Sequence, residues 1–114
     1  MLRGGFNVGS NAISLVVHQA ATNVSANTQT TILTYSASGD KKVVRIGCGG
    51  DDYAKFQVYI NTVLVETKRT GPDRHIDFNW CFPLELNDGD VIDVKVTHYF
   101  DGDNLNFEAT LYGY

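Results

Sequence analysis

The stretch YAKFQVYINTVLV, residues 53–65, decides the fold class of this chain. Apolar or small side chains alternate in it with polar or amphipathic ones, and this period of two is typical of a strand with one buried face. Asn61-Thr62 interrupts the pattern at the place where a two-residue hairpin turn would lie. The stretch therefore predicts two antiparallel strands joined by a tight turn.

Similar alternation on both sides of this hairpin predicts an all-β chain. The expected strands cover residues 13–19, 28–36, 42–48, 53–60, 63–69, 76–82, 92–100 and 105–111. No segment shows the period of an amphipathic helix. About eight antiparallel strands in so short a chain predict a two-sheet β-sandwich of the jelly-roll type. An immunoglobulin-like sandwich is the alternative, although the order Cys48, Trp80, Cys81 does not match its usual pattern.

The inward positions of these strands predict the core. Four apolar side chains share one face of a single expected strand: Ile76, Phe78, Trp80 and Phe82. We expect this aromatic load to be buried. His98 falls on the inward face of the following strand, where a histidine is typically a hydrogen-bonded core residue. We expect Cys48 and Cys81 to be small, half-buried packing residues, with a disulfide as the alternative if their strands are neighbours.

The size and charge of the chain limit what it can be. At 114 residues, with 43% hydrophobic and 19% charged residues, it is large enough for one domain with its own core. We expect a flexible, Gly- and Asn-rich N-terminal arm in residues 1–12 and a single sandwich domain in residues 13–114. The net charge of −4 and the scattered basic residues argue against a nucleic-acid partner.

Localisation signals are sparse in this sequence. No stretch approaches the roughly 18 apolar residues that a membrane helix needs, and no apolar segment with a cleavage site follows Met1. We therefore expect the chain to be made and folded in a cytoplasm, without a membrane partner and with its cysteines as thiols.

The sequence predicts no catalytic, cofactor-binding or metal-binding residues. Three loop segments, Asp51-Asp52, Asp88-Gly89-Asp90 and Asp101-Gly102-Asp103, invite a calcium interpretation. Asp and Gly are also the ordinary residues of tight turns, and we favour turns. The three histidines, His18, His75 and His98, share no metal-ligand spacing. A zinc site or a thiol–histidine pair with Cys48 or Cys81 is an alternative, but the chain lacks C-x-x-C and H-x-x-x-H spacings. No nucleophile motif is present, so we do not expect an enzyme.

Exposed aromatic and apolar residues are the best candidates for binding. Five tyrosines fall on the outward register or at the C-terminus: Tyr53, Tyr59, Tyr99, Tyr112 and Tyr114. Such residues suit sugar stacking, a subunit interface or cross-strand pairing on an outer face, and the three interpretations stay open. The predicted interface also includes Leu2 and Phe6 in the arm and Phe100, Asp101 and Asn104 at a loop tip.

Several segments together resemble a known family. They are Thr31–Tyr35, Val44–Ile46, Ala54–Asn61, Phe82–Leu86 followed by Gly89–Ile92, and Phe107–Gly113. Over roughly residues 28–114 the chain resembles small jelly-roll proteins of tailed bacteriophage virions. Parts of the pattern also occur in carbohydrate-binding modules and in trimeric heads of the tumour-necrosis-factor type. The matching positions are core and turn positions, so no binding residue is carried over from the family.

The resemblance implies a structural component of a virion, without catalytic activity or cofactors, that works in symmetric copies. Because the chain is short, a capsid decoration or cement subunit is the expected role. Its partners would be further copies of itself, with a trimer as the first expectation, and the major capsid protein or another virion protein. The alternative is a receptor-binding module of the tail or baseplate that binds a glycan. It predicts that Tyr53, Tyr59 or Tyr99 lie beside loop aspartates in one shallow groove, and that removing calcium abolishes binding.

Overall fold

The computed structural model of the protein describes residues 12–99 and 105–114. They form eight strands, namely β1 (Leu15–Val24), β2 (Thr30–Ser36), β3 (Lys41–Gly50), β4 (Ala54–Ile60), β5 (Val63–Arg69), β6 (His75–Leu86), β7 (Val91–His98) and β8 (Leu105–Gly113). These described residues contain no helix, so the all-β prediction is confirmed.

The strands form two antiparallel sheets of four strands each, packed face to face. The first sheet has the order β1-β8-β3-β6 and the second has the order β2-β7-β4-β5. Every connection between the described strands crosses from one sheet to the other, except the β4–β5 hairpin. This strand order is that of a jelly roll, so the predicted two-sheet sandwich of that type is confirmed.

The β4–β5 hairpin forms where residues 53–65 predict it. Asn61 and Thr62 make its turn, with φ angles of 48° and 69°. A turn of type I′ requires positive φ at both central residues, and such turns match the twist of the flanking strands. The Asn61 side chain also fastens the turn to the start of β7, because its amide donates to Asp90 Oδ1 at 3.0 Å and its oxygen accepts the N–H of Val91 at 2.9 Å.

The core lies between the two sheets and consists of inward-facing apolar side chains. Its largest fully buried members are Phe56, Phe78, Phe107, Leu33, Ile46, Leu86, Ile92 and Leu111. His98 is completely buried among them, where its Nε2 donates to the carbonyl oxygen of Val24 at 2.7 Å. The imidazole ring stacks on Phe107 with 5.5 Å between ring centroids. The prediction of a hydrogen-bonded core histidine is therefore confirmed.

Phe82 contradicts the predicted core, because 89% of its surface is exposed. The cause is a change of register in β6, where Asn79 pairs with Arg45 of β3 but Leu84 pairs with Val43. Residues 80–83 of β6 therefore stand opposite a single residue of β3 and form a bulge at the outer edge of the sheet. Pro83 is part of this bulge. Proline is typical of such positions because it cannot donate a ladder hydrogen bond.

The same bulge gives the neighbouring residues Trp80 and Cys81 different burial. Trp80 is partly buried and stacks on the buried Phe78 with 6.0 Å between centroids. Cys81 is exposed, which contradicts the prediction of a half-buried packing residue, whereas Cys48 is buried in the core. Both cysteines are free thiols, so the alternative of a disulfide between them does not hold.

Candidate binding surfaces

Two of the predicted tyrosines, Tyr53 and Tyr99, lie side by side at one end of the second sheet. Ala54, the first residue of β4, pairs with His98, the last residue of β7. The residues that flank this pair are Tyr53 and Tyr99, and antiparallel pairing brings them together. Each tyrosine is 54% exposed, so both phenol rings are available to a ligand.

The two tyrosines belong to one shallow pocket, which we call the Tyr53–Tyr99 pocket. Its volume is about 340 Å³, and its described lining residues are Asp52, Tyr53, Ala54, Arg69, Thr70 and Tyr99. Thr70 fixes the rim, since its hydroxyl accepts the N–H of Ala54 at 2.9 Å and its own N–H donates to the Ala54 carbonyl at 3.0 Å. The ends of β5 and β7 and the start of β4 therefore converge on the pocket.

Arg69 lines the Tyr53–Tyr99 pocket, and further cations lie beside its two tyrosines. Lys55 of β4 pairs directly with Arg69 of β5. A hydrogen bond from Lys55 lowers the pKa of the Tyr99 phenol, and Arg69 adds to this effect. The guanidinium of Arg74 lies 5.9 Å from the centre of the Tyr53 ring. Within residues 12–99 and 105–114, no ion pair involves Lys55 or Arg69.

A second candidate surface, which we call the apolar edge, comprises Val63, Leu64 and Val65 of β5 and Phe82 of β6. Their exposed fractions are 67%, 49%, 38% and 89% in that order. β5 is the outer strand of the second sheet and β6 is the outer strand of the first. The apolar edge therefore includes residues from both sheets.

Two hydrogen bonds show that β5 and β6 run along the same side of the sandwich. Lys68 Nζ donates to the Asp77 carbonyl at 3.1 Å, and Trp80 Nε1 donates to Glu66 Oε1 at 3.1 Å. The step from Lys68 to Glu66 on β5 corresponds to the step from Asp77 to Trp80 on β6. Continued in the same direction, the two strands lead to Leu64 and Phe82. The opposite edge of the first sheet is β1, where Val16 is 59% exposed and Ile13, just before the strand, is 47% exposed.

The other predicted tyrosines lie apart from both surfaces. Tyr59 is on the outer face of the second sheet, with the Lys95 ammonium 5.0 Å from its ring centre. Tyr112 is on the outer face of the first sheet, where the Arg45 guanidinium lies 4.5 Å from its ring centre. These are cross-strand contacts of the ordinary kind. Tyr114 borders a different pocket of about 370 Å³ beside Lys42.

Five further members of the predicted interface belong to the arm and to the loop after Tyr99. Leu2, Phe6, Phe100, Asp101 and Asn104 lie outside the described residues, as does nearly all of the predicted arm.

The described turn aspartates act as hydrogen-bond acceptors for the turns that contain or adjoin them. Asp90 accepts from the Asn61 amide and from the N–H of Asn87, and these bonds lower the pKa of its carboxyl. Asp88 Oδ1 accepts the N–H of Gly39 at 2.7 Å. Among the residues that the structure describes, no group of three or more His, Cys, Asp or Glu is placed to hold a metal ion.

A polar cluster of Arg45, His75 and Asp77 lies on the outer face of the first sheet. Asp77 Oδ1 is 3.2 Å from His75 Nε2 and 3.5 Å from Arg45 Nε. The cluster lies over Gly47, where a Cβ atom would come within 3.0 Å of Asp77 Oδ1.

Cys48 lies in the core, on the opposite side of the sheet from His75. Burial, with a smaller contribution from Asp77, raises the pKa of its thiol to about 12. Cys48 and His75 therefore do not form a thiol–histidine pair.

Comparison of the sequence with protein families and with curated proteins finds no match. The described part of the chain contains no helix that is long and apolar enough to cross a membrane.

Sequence reasoning missed the apolar edge and the pairing of Lys55 with Arg69 beside the pocket. Two local signals indicate the edge. The run Val63-Leu64-Val65 breaks the alternation of its strand, and Pro83 inside a strand is typical of an edge or a bulge. No local signal identifies Lys55 and Arg69 as neighbours, because their pairing depends on the register of the hairpin.

Proposed function

We propose that the protein is a non-enzymatic structural subunit of a tailed bacteriophage virion. In this role it is a capsid decoration or cement protein that is made in the host cytoplasm and binds the particle surface as a homo-oligomer. The jelly-roll fold and the resemblance of residues 28–114 to small virion proteins support the proposal. The apolar edge is the observation that carries it.

The apolar edge supports an assembled protein because a monomer would leave it in contact with water. Phe82 is 89% exposed on a strand that is otherwise fixed to the sandwich by paired residues on both sides of its bulge. Covering such a ring contributes about 1.5–3 kcal/mol to association. Large exposed apolar side chains on one side of a soluble protein, here on the neighbouring outer strands β5 and β6, often mark an interaction site. We therefore assign the apolar edge to contact with a second copy of the chain.

The position of the exposed apolar residues favours a closed ring of copies. Phe82 lies on β6 and Val16 lies on β1, and these strands are the two opposite edges of the first sheet. A contact that joins one edge to the opposite edge of the next copy is heterologous, and such contacts generate rings when the rotation closes. A trimer is the oligomer that we propose, with the particle bound through a major capsid protein or another virion protein.

The oligomer can be tested by light scattering on the purified chain and on Phe82→Ser. We expect the wild type to have three times the mass of one chain and Phe82→Ser to dissociate to lower mass. Tyr99→Ser is the matched control, since it removes an exposed aromatic ring outside the apolar edge and should leave the mass unchanged. A monomeric wild type, or a Phe82→Ser variant with the wild-type mass, would overturn the assignment of the apolar edge.

A receptor-binding module of the tail or baseplate is the second candidate function. The observation that favours it is the Tyr53–Tyr99 pocket, because two exposed aromatic rings beside a polar lining suit a sugar ligand. This function would use a surface different from the apolar edge, so the two candidates predict different sensitive residues.

A further inference from the structure

We infer that the Tyr53–Tyr99 pocket binds a sugar that carries a carboxylate group. In this complex the phenol rings contact the apolar face of the sugar ring, and Arg69 and Lys55 pair with the carboxylate. The inference rests on the second candidate function and names the ligand class of that site. It does not depend on the oligomer.

The shape of the pocket fits a small ligand. Small-molecule sites have volumes of about 300–1,000 Å³ and combine apolar or aromatic walls with a few polar groups. At about 340 Å³ this pocket lies at the lower end of that range, which suits one sugar residue at the end of a glycan. Tyr53 and Tyr99 supply the aromatic walls from two different strand ends, and the register of Ala54 with His98 holds them together.

The charge of the pocket determines which sugar fits. Lys55 and Arg69 are directly opposite each other on neighbouring strands, an arrangement of like charges that opposes pairing. A bound carboxylate would relieve this repulsion. The planar guanidinium of arginine matches a carboxylate with two parallel hydrogen bonds, and such charge-assisted bonds are stronger than neutral ones. A neutral sugar would leave this positive charge unused.

The polar lining also argues for direct pairing over a bridging calcium ion. Asp52 is the single carboxylate among the described lining residues, and its Oδ1 already accepts the N–H of Tyr53 at 2.7 Å. Calcium takes about six to eight oxygen ligands, and neighbouring cations such as Lys55 and Arg69 oppose its binding. The second oxygen of Asp52 accepts no hydrogen bond from the described residues, and we expect it to accept a sugar hydroxyl.

Isothermal titration calorimetry on the full-length chain tests the inference with four probes. Sialyllactose and a glucuronic acid oligosaccharide carry the carboxylate from two different sources, lactose carries none, and inorganic phosphate is an anion without a sugar. We expect at least one carboxylated sugar to bind about tenfold or more tightly than lactose and phosphate. Which of the two binds would identify the source of the carboxylate.

Variants assign the binding to the pocket. Arg69→Gln should lower the affinity for the carboxylated sugar by about tenfold or more, which is the loss expected for one charge-assisted hydrogen bond. Tyr53→Ala should weaken it as well. Lys95→Gln is the matched control, because Lys95 is a cation on the outer face of the same sheet beside Tyr59 and outside the pocket lining. It should bind the sugar within about twofold of the wild type.

The outcomes separate the inference from the function on which it rests. Equal binding of lactose and the carboxylated sugars, an unchanged Arg69→Gln variant, or phosphate binding as tightly as the sugars would each overturn the carboxylate assignment alone. Loss of binding on calcium chelation would also overturn direct pairing. Binding by none of the sugars would overturn both the inference and the receptor-binding function. It would not bear on the proposed oligomer, which light scattering tests.

Discussion

Trp80 Nε1 donates a hydrogen bond of 3.1 Å to Glu66 Oε1 and thereby joins the outer strands of the two sheets. This contact lies between the core and the apolar edge. On one side Trp80 stacks on the buried Phe78, and on the other the chain continues into the exposed Cys81 and Phe82. The bond therefore fixes the bulge that presents Phe82 to a partner.

Removing this bond should destabilise the sandwich without removing the ring. Trp80→Phe keeps an aromatic side chain against Phe78 but cannot donate to Glu66, so we expect a loss of about 1 kcal/mol in the free energy of unfolding. Urea denaturation measures it. Glu66→Gln keeps an oxygen acceptor and should cost less than Trp80→Phe. If Trp80→Phe were as stable as the wild type, the bond would have no role in fixing the edge.

His98 should be a major contributor to stability. Its Nε2–H satisfies the Val24 carbonyl inside the core, and His98→Phe would leave that buried oxygen without a donor. We expect a loss of about 1–3 kcal/mol, again measured by urea denaturation. His18→Phe is the control, because His18 is an exposed histidine on β1 and the change should cost much less. Equal effects of the two changes would argue against the buried hydrogen bond.

The two cysteines should differ sharply in reactivity. Cys81 is exposed, whereas Cys48 is buried with its thiol pKa raised to about 12, and only the thiolate is a strong nucleophile. We expect an aromatic disulfide reagent to label one thiol per chain in the dissociated Phe82→Ser variant and the second only after unfolding. Cys81→Ser in that background should abolish the fast label. Rapid labelling of Cys48 in the folded chain would contradict its burial.

Acid should weaken the anchor between the β4–β5 turn and β7. The Asn61 side chain, followed by the Asn87 N–H, lowers the pKa of Asp90. A carboxyl whose pKa is lower in the folded state stabilises the fold above its unfolded pKa, and this contribution is lost as the pH falls through the folded value. We therefore expect Asp90→Asn to lower the melting temperature at pH 7, with the difference shrinking as the pH falls below about 4.

A second substitution tests the origin of this effect. In an Asn61→Ala background the Asp90→Asn change should lower the melting temperature less at pH 7. The hydrogen bond from Asn61, which lowers the pKa of Asp90 the most, is already absent there. An Asp90→Asn effect that is independent of both pH and Asn61 would contradict the anchor.

The fold was predictable because its signals are local. Alternation along residues 53–65 reports which face of each strand is buried, and Asn61-Thr62 marks the turn between them. The same alternation wrongly predicts a buried Phe82, because this residue continues the pattern of Ile76, Phe78 and Trp80. The bulge that turns it outward depends on how β6 pairs with β3, and pairing between distant strands leaves no periodic trace.

The pocket was only partly predictable, for a related reason. Tyr53 and Tyr99 were both recognised as outward, yet only the register of Ala54 with His98 makes them neighbours. A hairpin without a bulge would place Lys55 opposite Lys68, whereas the pairing of Val58 with Glu66 and of Tyr59 with Leu64 leaves Val65 unpaired and shifts Lys55 to Arg69. The extra residue in β5 therefore determines that an arginine, and not a lysine, stands opposite Lys55.

The most direct test of the proposed function is co-sedimentation with virions assembled without this chain. We expect the purified wild-type protein to sediment with such particles saturably, and we expect Phe82→Ser to bind much more weakly because its copies no longer associate. Tyr99→Ser should bind like the wild type. A wild-type chain that stays in the supernatant at every concentration would contradict the role as a virion structural subunit.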